Sequence, residues 1–310
     1  MSGAVTGGRH AAPARRGGVS IETSILPPTT WAGGTFAWGE HTYVMAIVNA
    51  TPDSFSGDGL AGQPVAAAAV AACAAADGAD LIDIGAESTR PDHVPLDAGE
   101  EIARLLPVLR AVRAAVDIPI SVDTSKAVVA AAALAAGASL VNDVRGLTAD
   151  PDFAALVAAH AVPAIVMHDL PPDGRGDLVT GVVRELSRRL DRALAAGIAW
   201  ERLIVDPGFG FGKDWRQNVE LLRRLGELRV LGRPILAGTS RKGMIGRILG
   251  LPEHDRVEGT AATVALAVAN GADLVRVHDV RIQARVARMA DAIVRGAPFA
   301  ARTWPGGPPV

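Results

Sequence analysis

Eight short apolar runs recur along the chain, each followed by polar or glycine residues and then by an alanine- and arginine-rich stretch. The runs are 43–49 (YVMAIVN), 81–85 (LIDIG), 118–123 (IPISVD), 139–143 (SLVND), 163–168 (PAIVMH), 203–208 (LIVDPG), 234–238 (PILAG) and 274–279 (LVRVHD). Parallel strands buried on both faces read this way, as continuous Val, Ile and Leu rather than as alternation. Their starts lie roughly 20 to 40 residues apart, room for one crossover helix each. In the stretches between, Ile102, Leu105, Leu106, Leu109 and Val112 follow the spacing of one helical face, and Leu186, Leu190 and Leu194 line another. Pro107 predicts a kink in the first of these helices, or a displaced start, because proline lacks the N–H that the helix needs. Gly137 and Gly271 stand where helices stop before the next run.

Two architectures alternate strands and helices in this manner: a doubly wound open sheet and a (β/α)8 barrel. No GxGxxG follows the first run, and eight units in about 260 residues is barrel size. Polar residues also collect at the same end of nearly every run. The expected fold is a single-domain (β/α)8 TIM barrel over residues 31–300. A disordered leader is expected at 1–30 and a tail at 301–310.

Composition narrows the function. The net charge of −2 argues against a general nucleic-acid binder, whose affinity comes from Lys and Arg on phosphate. The longest apolar stretch, 65–76, is mostly alanine and well short of the ~20 residues that span a membrane. The N-terminus has no apolar signal region, so a cytoplasmic protein is expected. The lone cysteine, Cys73, sits in an alanine-rich helix and is expected to be a small core residue. Of 31 basic residues only Lys126, Lys213 and Lys242 are lysine, which marks three positions where arginine would not serve. Lys126 and Lys213 fall just beyond the third and sixth runs, as rim or helix-start residues.

Barrel enzymes build their sites where the strands end. Those ends carry Asn49, Asp83, Asp123, Asn142, Asp143, His168, Asp206, Lys242, Arg276 and His278. So many polar ends are costly in a core without a ligand. Asp143 and Asp279 are as readily explained by capping or loop closure. The last two loops hold GTSRKG (238–243) and RVHD (276–279), where Ser240, Arg241, Lys242, Arg276 and His278 offer donors in one corner. Phosphate sites in barrels favour that corner, so a phosphate or diphosphate substrate is expected. Phe55 in NATPDSFSGDG (49–59), and Phe209 and Phe211 in DPGFGFGK (206–213), offer walls for a planar ring. No HExxH and no paired cysteines suggest a built-in metal cluster. His10, His41, His93, His160 and His254 are scattered, as surface or structural residues are.

Seven of these stretches, VNATPDSFS, DIGAESTRP, SVDTS, NDV, DPGFGFGK, GTSRK and RVHDV, occur in the order found in the dihydropteroate synthase family, which the chain resembles from Trp38 to about Gly296. The resemblance implies a (β/α)8 barrel, a homodimer, magnesium as cofactor and small-molecule substrates. The implied reaction joins 6-hydroxymethyl-7,8-dihydropterin diphosphate to 4-aminobenzoate and releases diphosphate; sulfonamides compete with the aminobenzoate. Carried over by motif, Asp123, Asn142, Asp206 and Lys242 hold the pterin, with Met167 beside it. Asn49, Arg276 and His278 take the diphosphate, with Mg²⁺ at Asn49. Thr89, Arg90, Pro91, Phe55 and Phe211 shape the aminobenzoate pocket. Lys242, Asp123, Arg276 and His278 are the implied catalytic groups. The chain departs from the family's common pattern at Gly57–Asp58, where the loop acid is displaced by one, at His168–Asp169–Leu170, and at Gly243, where some relatives have serine. Two alternatives remain open: a methyltetrahydrofolate-type methyltransferase and a pterin-binding paralogue without synthase activity.

Overall fold

The computed structural model describes residues 26–51, 59–88, 94–172, 174 and 176–296. Phe55, Asp58, Thr89, Arg90, Pro91, His10 and His93 lie outside the described residues, as do both chain ends.

All eight runs are strands. A short antiparallel hairpin comes first, β1 (Thr29–Trp31) and β2 (Gly34–Phe36). The barrel strands follow as β3 (Tyr43–Asn49), β4 (Leu81–Gly85), β5 (Ile120–Asp123), β6 (Leu140–Asp143), β7 (Ala164–Met167), β8 (Leu203–Asp206), β9 (Leu236–Ala237) and β10 (Leu274–Val277). They pair in parallel in the order β8-β7-β6-β5-β4-β3-β10-β9, and a parallel bridge between Val205 and Ile235 joins the two ends. Helices α1 (Pro64–Asp77), α2 (Ala98–Ala115), α3 (Ala127–Ala135), α4 (Phe153–His160), α5 (Leu178–Ala195), α6 (Trp215–Arg223), α7 (Gly243–Leu249), α8 (Val257–Ala269) and α9 (Val280–Arg295) return the chain between strands. Helix α7 is an extra turn between β9 and the crossover α8.

Local chemistry sets the helix ends. Asp97 and Asp177 cap α2 and α5 by accepting from the amides of Glu100 and Thr180. Asp214 and Gln217 form a reciprocal capping box on α6. Gly137 and Gly271 adopt left-handed φ of 105° and 97°, as their place before a strand predicted. Pro107 does not break α2, which runs unbroken from Ala98 to Ala115. Its lost hydrogen bond is outweighed by the burial of Leu105, Val108, Leu109 and Val112 around it.

Two apolar layers result. The outer one lies between the sheet and the helices. The inner one fills the lower barrel with Met45, Leu81, Leu140, Ile165, Ile204, Leu236 and Leu274. The hairpin closes the barrel beneath this inner layer. Phe36, Trp38 and Tyr43 pack with ring centroids 4.7–5.3 Å apart, and Trp38 Nε1 donates to Thr29 Oγ1 at 2.9 Å. Leu26, inside the stretch expected as a leader, is packed, because it joins this aromatic plug.

Two burial expectations are overturned. Cys73 is exposed, because α1 is alanine on all faces and only Ala67, Ala71 and Ala74 turn inward. Leu194 is 40% exposed: it lies near the end of α5, past the face that Leu186 and Leu190 bury.

The plug should carry stability and nothing else. Replacing Trp38 by alanine is expected to cost about 3–5 kcal/mol in urea unfolding while leaving ligand affinity at the opposite mouth unchanged. A variant as stable as the parent would show that the hairpin is not a plug.

Candidate active site

Parallel register brings the polar strand ends to one level. Asn49 pairs with Gly85, Gly85 with Asp123, and Asp123 with Asn142 across β3 to β6. Gly85 leaves room for its neighbour: a Cβ there would lie 3.4 Å from that of Asp123. The result is a cavity of about 780 Å³ at the C-terminal mouth. Asn49, Asp123, Asn142, Met167, Asp206, Phe211, Lys242, Arg276 and His278 all line it.

The floor is an ion network. Arg276 donates from Nε to Asp83 Oδ2 at 2.7 Å and from Nη2 to Asp123 Oδ2 at 3.0 Å. Asn142 Nδ2 donates to the same Asp83 oxygen at 3.1 Å. Asp83 is fully buried below the cavity, so it holds the site residues rather than touching a ligand. Burial and the Asp83 charge push the Asp123 carboxyl up, against the pull of Arg276. Burial opposes the Arg276 charge, but Asp83 and Asp123 outweigh it and keep the guanidinium protonated.

The walls come from three loops. Asp206 accepts the Gly208 amide at 2.7 Å, and burial raises its carboxyl to about 6. Lys242 ends the loop before α7 with its Nζ 4.5 Å from the centroid of the Phe211 ring. Burial, then the Arg276 charge, lowers the Lys242 ammonium to about 8. Phe211 and Phe209 both line the cavity, Phe209 with a side chain that is 1% exposed and packed in the outer apolar layer. In the last corner Ser240 Oγ accepts the His278 amide at 3.2 Å and lies 3.0 Å from His278 Nδ1. A hydroxyl proton given to Nδ1 leaves the ring N–H on Nε2.

Other expected residues do different work. Asp143 closes its own loop by accepting from the amides of Arg145 and Leu147 at 2.8 and 2.7 Å. Arg241, at φ 54°, forms a two-pronged pair with Asp279 at 3.1 and 2.7 Å. After β7, Asp169 pairs with Arg189 at 2.7 Å, which anchors the segment where the chain departs from its relatives. Lys126 binds Glu87 and Glu101 at the base of the second loop. Of the functional contacts the sequence did not indicate, the most consequential are Asp83 beneath Arg276 and Lys213, which is buried at the foot of the glycine-rich loop. The scarcity of lysine was the only signal for Lys213.

A parallel barrel whose mouth gathers buried acids, an amide, a lysine over an aromatic ring and an anion corner is a barrel enzyme for a flat substrate carrying an anion. Residues 45–278 match the family of pterin binding enzymes. The chain is 45% identical over 282 residues to the dihydropteroate synthase of a Synechocystis strain, covering 88% of this chain and 98% of that protein. It is 43% identical over 258 residues to that of Bacillus subtilis, covering 83% of this chain and 90% of that one. Among solved structures, Yersinia pestis dihydropteroate synthase with a sulfonamide drug superposes with a TM-score of 0.82 at 38% identity, over 86% of this chain and 99% of that one. The Xanthomonas albilineans enzyme in complex with 7,8-dihydropteroate does so with 0.76 at 41%, over 86% and 98%. This chain belongs to the dihydropteroate synthase family, transferases of a pterinylmethyl group.

The raised carboxyl of Asp206 has a consequence for stability. Because the folded chain binds that proton more tightly than the unfolded chain, stability falls as pH rises from about 4 to about 6. Asp206→Asn is expected to be more stable than the parent at pH 7 in urea unfolding, with the gap closing below about pH 4. A less stable variant at pH 7 would mean that the carboxylate is well solvated.

Proposed function

We propose that this chain acts as a dihydropteroate synthase in the cytoplasm, and that the cavity residues divide the work as follows. Asp123 and Asn142 meet the polar edge of the pterin, since a buried carboxylate can accept two adjacent N–H donors and an amide can both give and take. Asp206 takes the far side of the ring, and Lys242 lies against its face. Arg276 and His278 are donors to the diphosphate, with Ser240 holding the His278 ring so that its Nε2–H is free to donate. Phe211, with Phe55, Thr89, Arg90 and Pro91, shapes the aminobenzoate pocket. The observation that carries this reading is that Asp123, Asn142, Asp206, Lys242 and Arg276 line one cavity in a chain so similar to known synthases.

The chemistry is substitution at the pterin methylene. The C–O bond to diphosphate breaks, leaving positive charge shared between the methylene and the ring. The amine of 4-aminobenzoate then forms the C–N bond and gives up a proton. Arg276 and His278 stabilise charge on the departing diphosphate, and the carboxylates of Asp123 and Asp206 face the cationic ring. No covalent link to the protein is required. A closed mouth excludes water, which would otherwise capture the cation.

Among the described residues no group of three or more His, Cys, Asp or Glu could hold a metal. The mouth instead offers the Asn49 amide oxygen and the Thr51 hydroxyl. That set suits magnesium brought in with a diphosphate, because the ion keeps waters and takes few protein ligands. When bound, the ion would neutralise charge on the diphosphate oxygens.

The direct assay is incubation with the dihydropterin diphosphate, 4-aminobenzoate and Mg²⁺, reading dihydropteroate. Product is expected only with the amine present, and less of it with sulfonamide. Lys242→Ala and Arg276→Ala should each lower activity at least ~100-fold, about 2.7 kcal/mol, in folded protein. Near-normal turnover in either would overturn the site assignment. Pterin binding without product in the parent would favour the non-catalytic paralogue.

A homodimer is also proposed. Exposed Val219, Ile248, Leu249 and Leu266 lie on α6, α7 and α8, which pack against one another. Sedimentation should show a dimer that Leu266→Asp weakens; a monomeric parent would refute it. Among the described residues no helix is long and apolar enough to cross a membrane.

A further inference from the structure

The three lysines are all at the catalytic end, yet Lys213 has no place in the chemistry above. Lys213 is 8% exposed, and its ammonium faces four acceptors. Two are carbonyls of its own loop, Gly208 at 3.1 Å and Phe211 at 3.0 Å. Two belong to the segment after β7, His168 Nδ1 at 3.0 Å and the His168 carbonyl at 3.3 Å. An ammonium sends three protons out tetrahedrally and suits such a cage. A planar guanidinium does not, which explains lysine here in a chain that otherwise uses arginine.

The cage has no slack. A Cβ on Gly208 would lie 1.9 Å from the His168 carbonyl oxygen, and one on Gly212 would lie 2.6 Å from the Leu170 carbonyl carbon. Both glycines have left-handed φ, 71° and 61°. Asn218 closes the coil from behind, accepting from the Gly210 amide at 2.8 Å and donating to the Lys213 carbonyl at 3.0 Å. The front of the coil touches Lys242. A Cβ on Gly210 would be 3.0 Å from Lys242 Cδ, and the Phe211 ring lies under its Nζ.

We propose that Lys213 is a positioning residue for the transfer reaction. Its ammonium ties the 208–213 coil to the segment after β7, and the tied coil sets where Phe211 and Lys242 stand on the amine side of the cavity. The assignment of that side rests on the reading in the preceding subsection.

The small number of lysines makes the test direct. In protein labelled with ¹⁵N-lysine, three side-chain nitrogens are to be followed, and the Lys242 signal should titrate near 8. Arg276, Asp206, Asp123 and Glu253 face Lys242 and are kept in every variant. In Lys213→Met the Lys242 midpoint is expected to rise by about one unit, from loss of the neighbouring positive charge together with entry of water as the coil loosens; in Lys213→Arg, which keeps the charge, a rise reports the loosening alone. The KM for 4-aminobenzoate should rise at least ~10-fold, while calorimetric affinity for the pterin diphosphate changes less than ~3-fold. Lys213→Arg keeps the charge and should fail in the same way. If Lys213→Met does not fold, His168→Leu removes one acceptor and should shift both readouts less, in the same direction. An unchanged Lys242 titration and aminobenzoate KM in the folded variant, or full rescue by arginine, overturns the proposal. The titration needs no substrate, so a parent without synthase activity would count against the proposed function and leave this arm intact.

Discussion

A single buried cation organises the centre of this barrel. Arg276, on β10, reaches across the barrel interior to carboxylates on β4 and β5, and Asn142 on β6 joins them through Asp83. The guanidinium would be intolerable at that depth without the acids, and burial still pushes the Asp123 carboxyl up against its pull. The network needs a closed parallel sheet, because only closure brings these strands into facing positions. It also fixes the level at which apolar packing stops and the cavity begins. Below it lie Leu81, Leu140, Ile204 and Leu274; above it lie the groups that line the cavity.

Around that floor the chain uses few aromatic residues and concentrates them. Trp31, Phe36, Trp38 and Tyr43 form the plug at one end, and Phe209 and Phe211 stand at the other. Elsewhere alanine, valine, leucine and isoleucine fill most of the space between helices and sheet, with Phe153 buried among them and Trp200 packed against them. The plug and the outer layer supply stability that the mouth gives up, since Asp123 and Asp206 are held where their charges are unfavourable. Such a site is preorganised for a ligand that offers N–H donors, and it is strained without one.

Much of this was legible in the sequence, and the failures are instructive. The eight runs were readable because strands buried on both faces leave little choice but Val, Ile and Leu. The motif residues were readable because each stands at a strand end, and strand ends converge in any barrel. Cys73 was misread because an all-alanine helix has no periodicity to mark its buried face. Leu26 was misread because nothing local in its segment shows that the aromatic plug is there to receive it. The Phe209 and Phe211 pair looked alike as letters, yet one side chain packs inward and the other faces Lys242.

The sequence by itself determined the barrel, the order of its strands, the end at which chemistry occurs and the family to which the motifs belong. These follow from short-range patterns: burial sets residue type, and glycine and proline set turns. The tertiary structure alone decided which acid lies beneath the cavity and which one lines it, with Asp83 under the floor and Asp123 in it. It also decided that Asp143 and Arg241 turn to their own loops, and that Lys213 is a clamp rather than a rim charge. Those roles depend on distances of a few ångströms between residues far apart in the chain. Only closure of the sheet, which pays the entropy of bringing them together once for all of them, sets such distances.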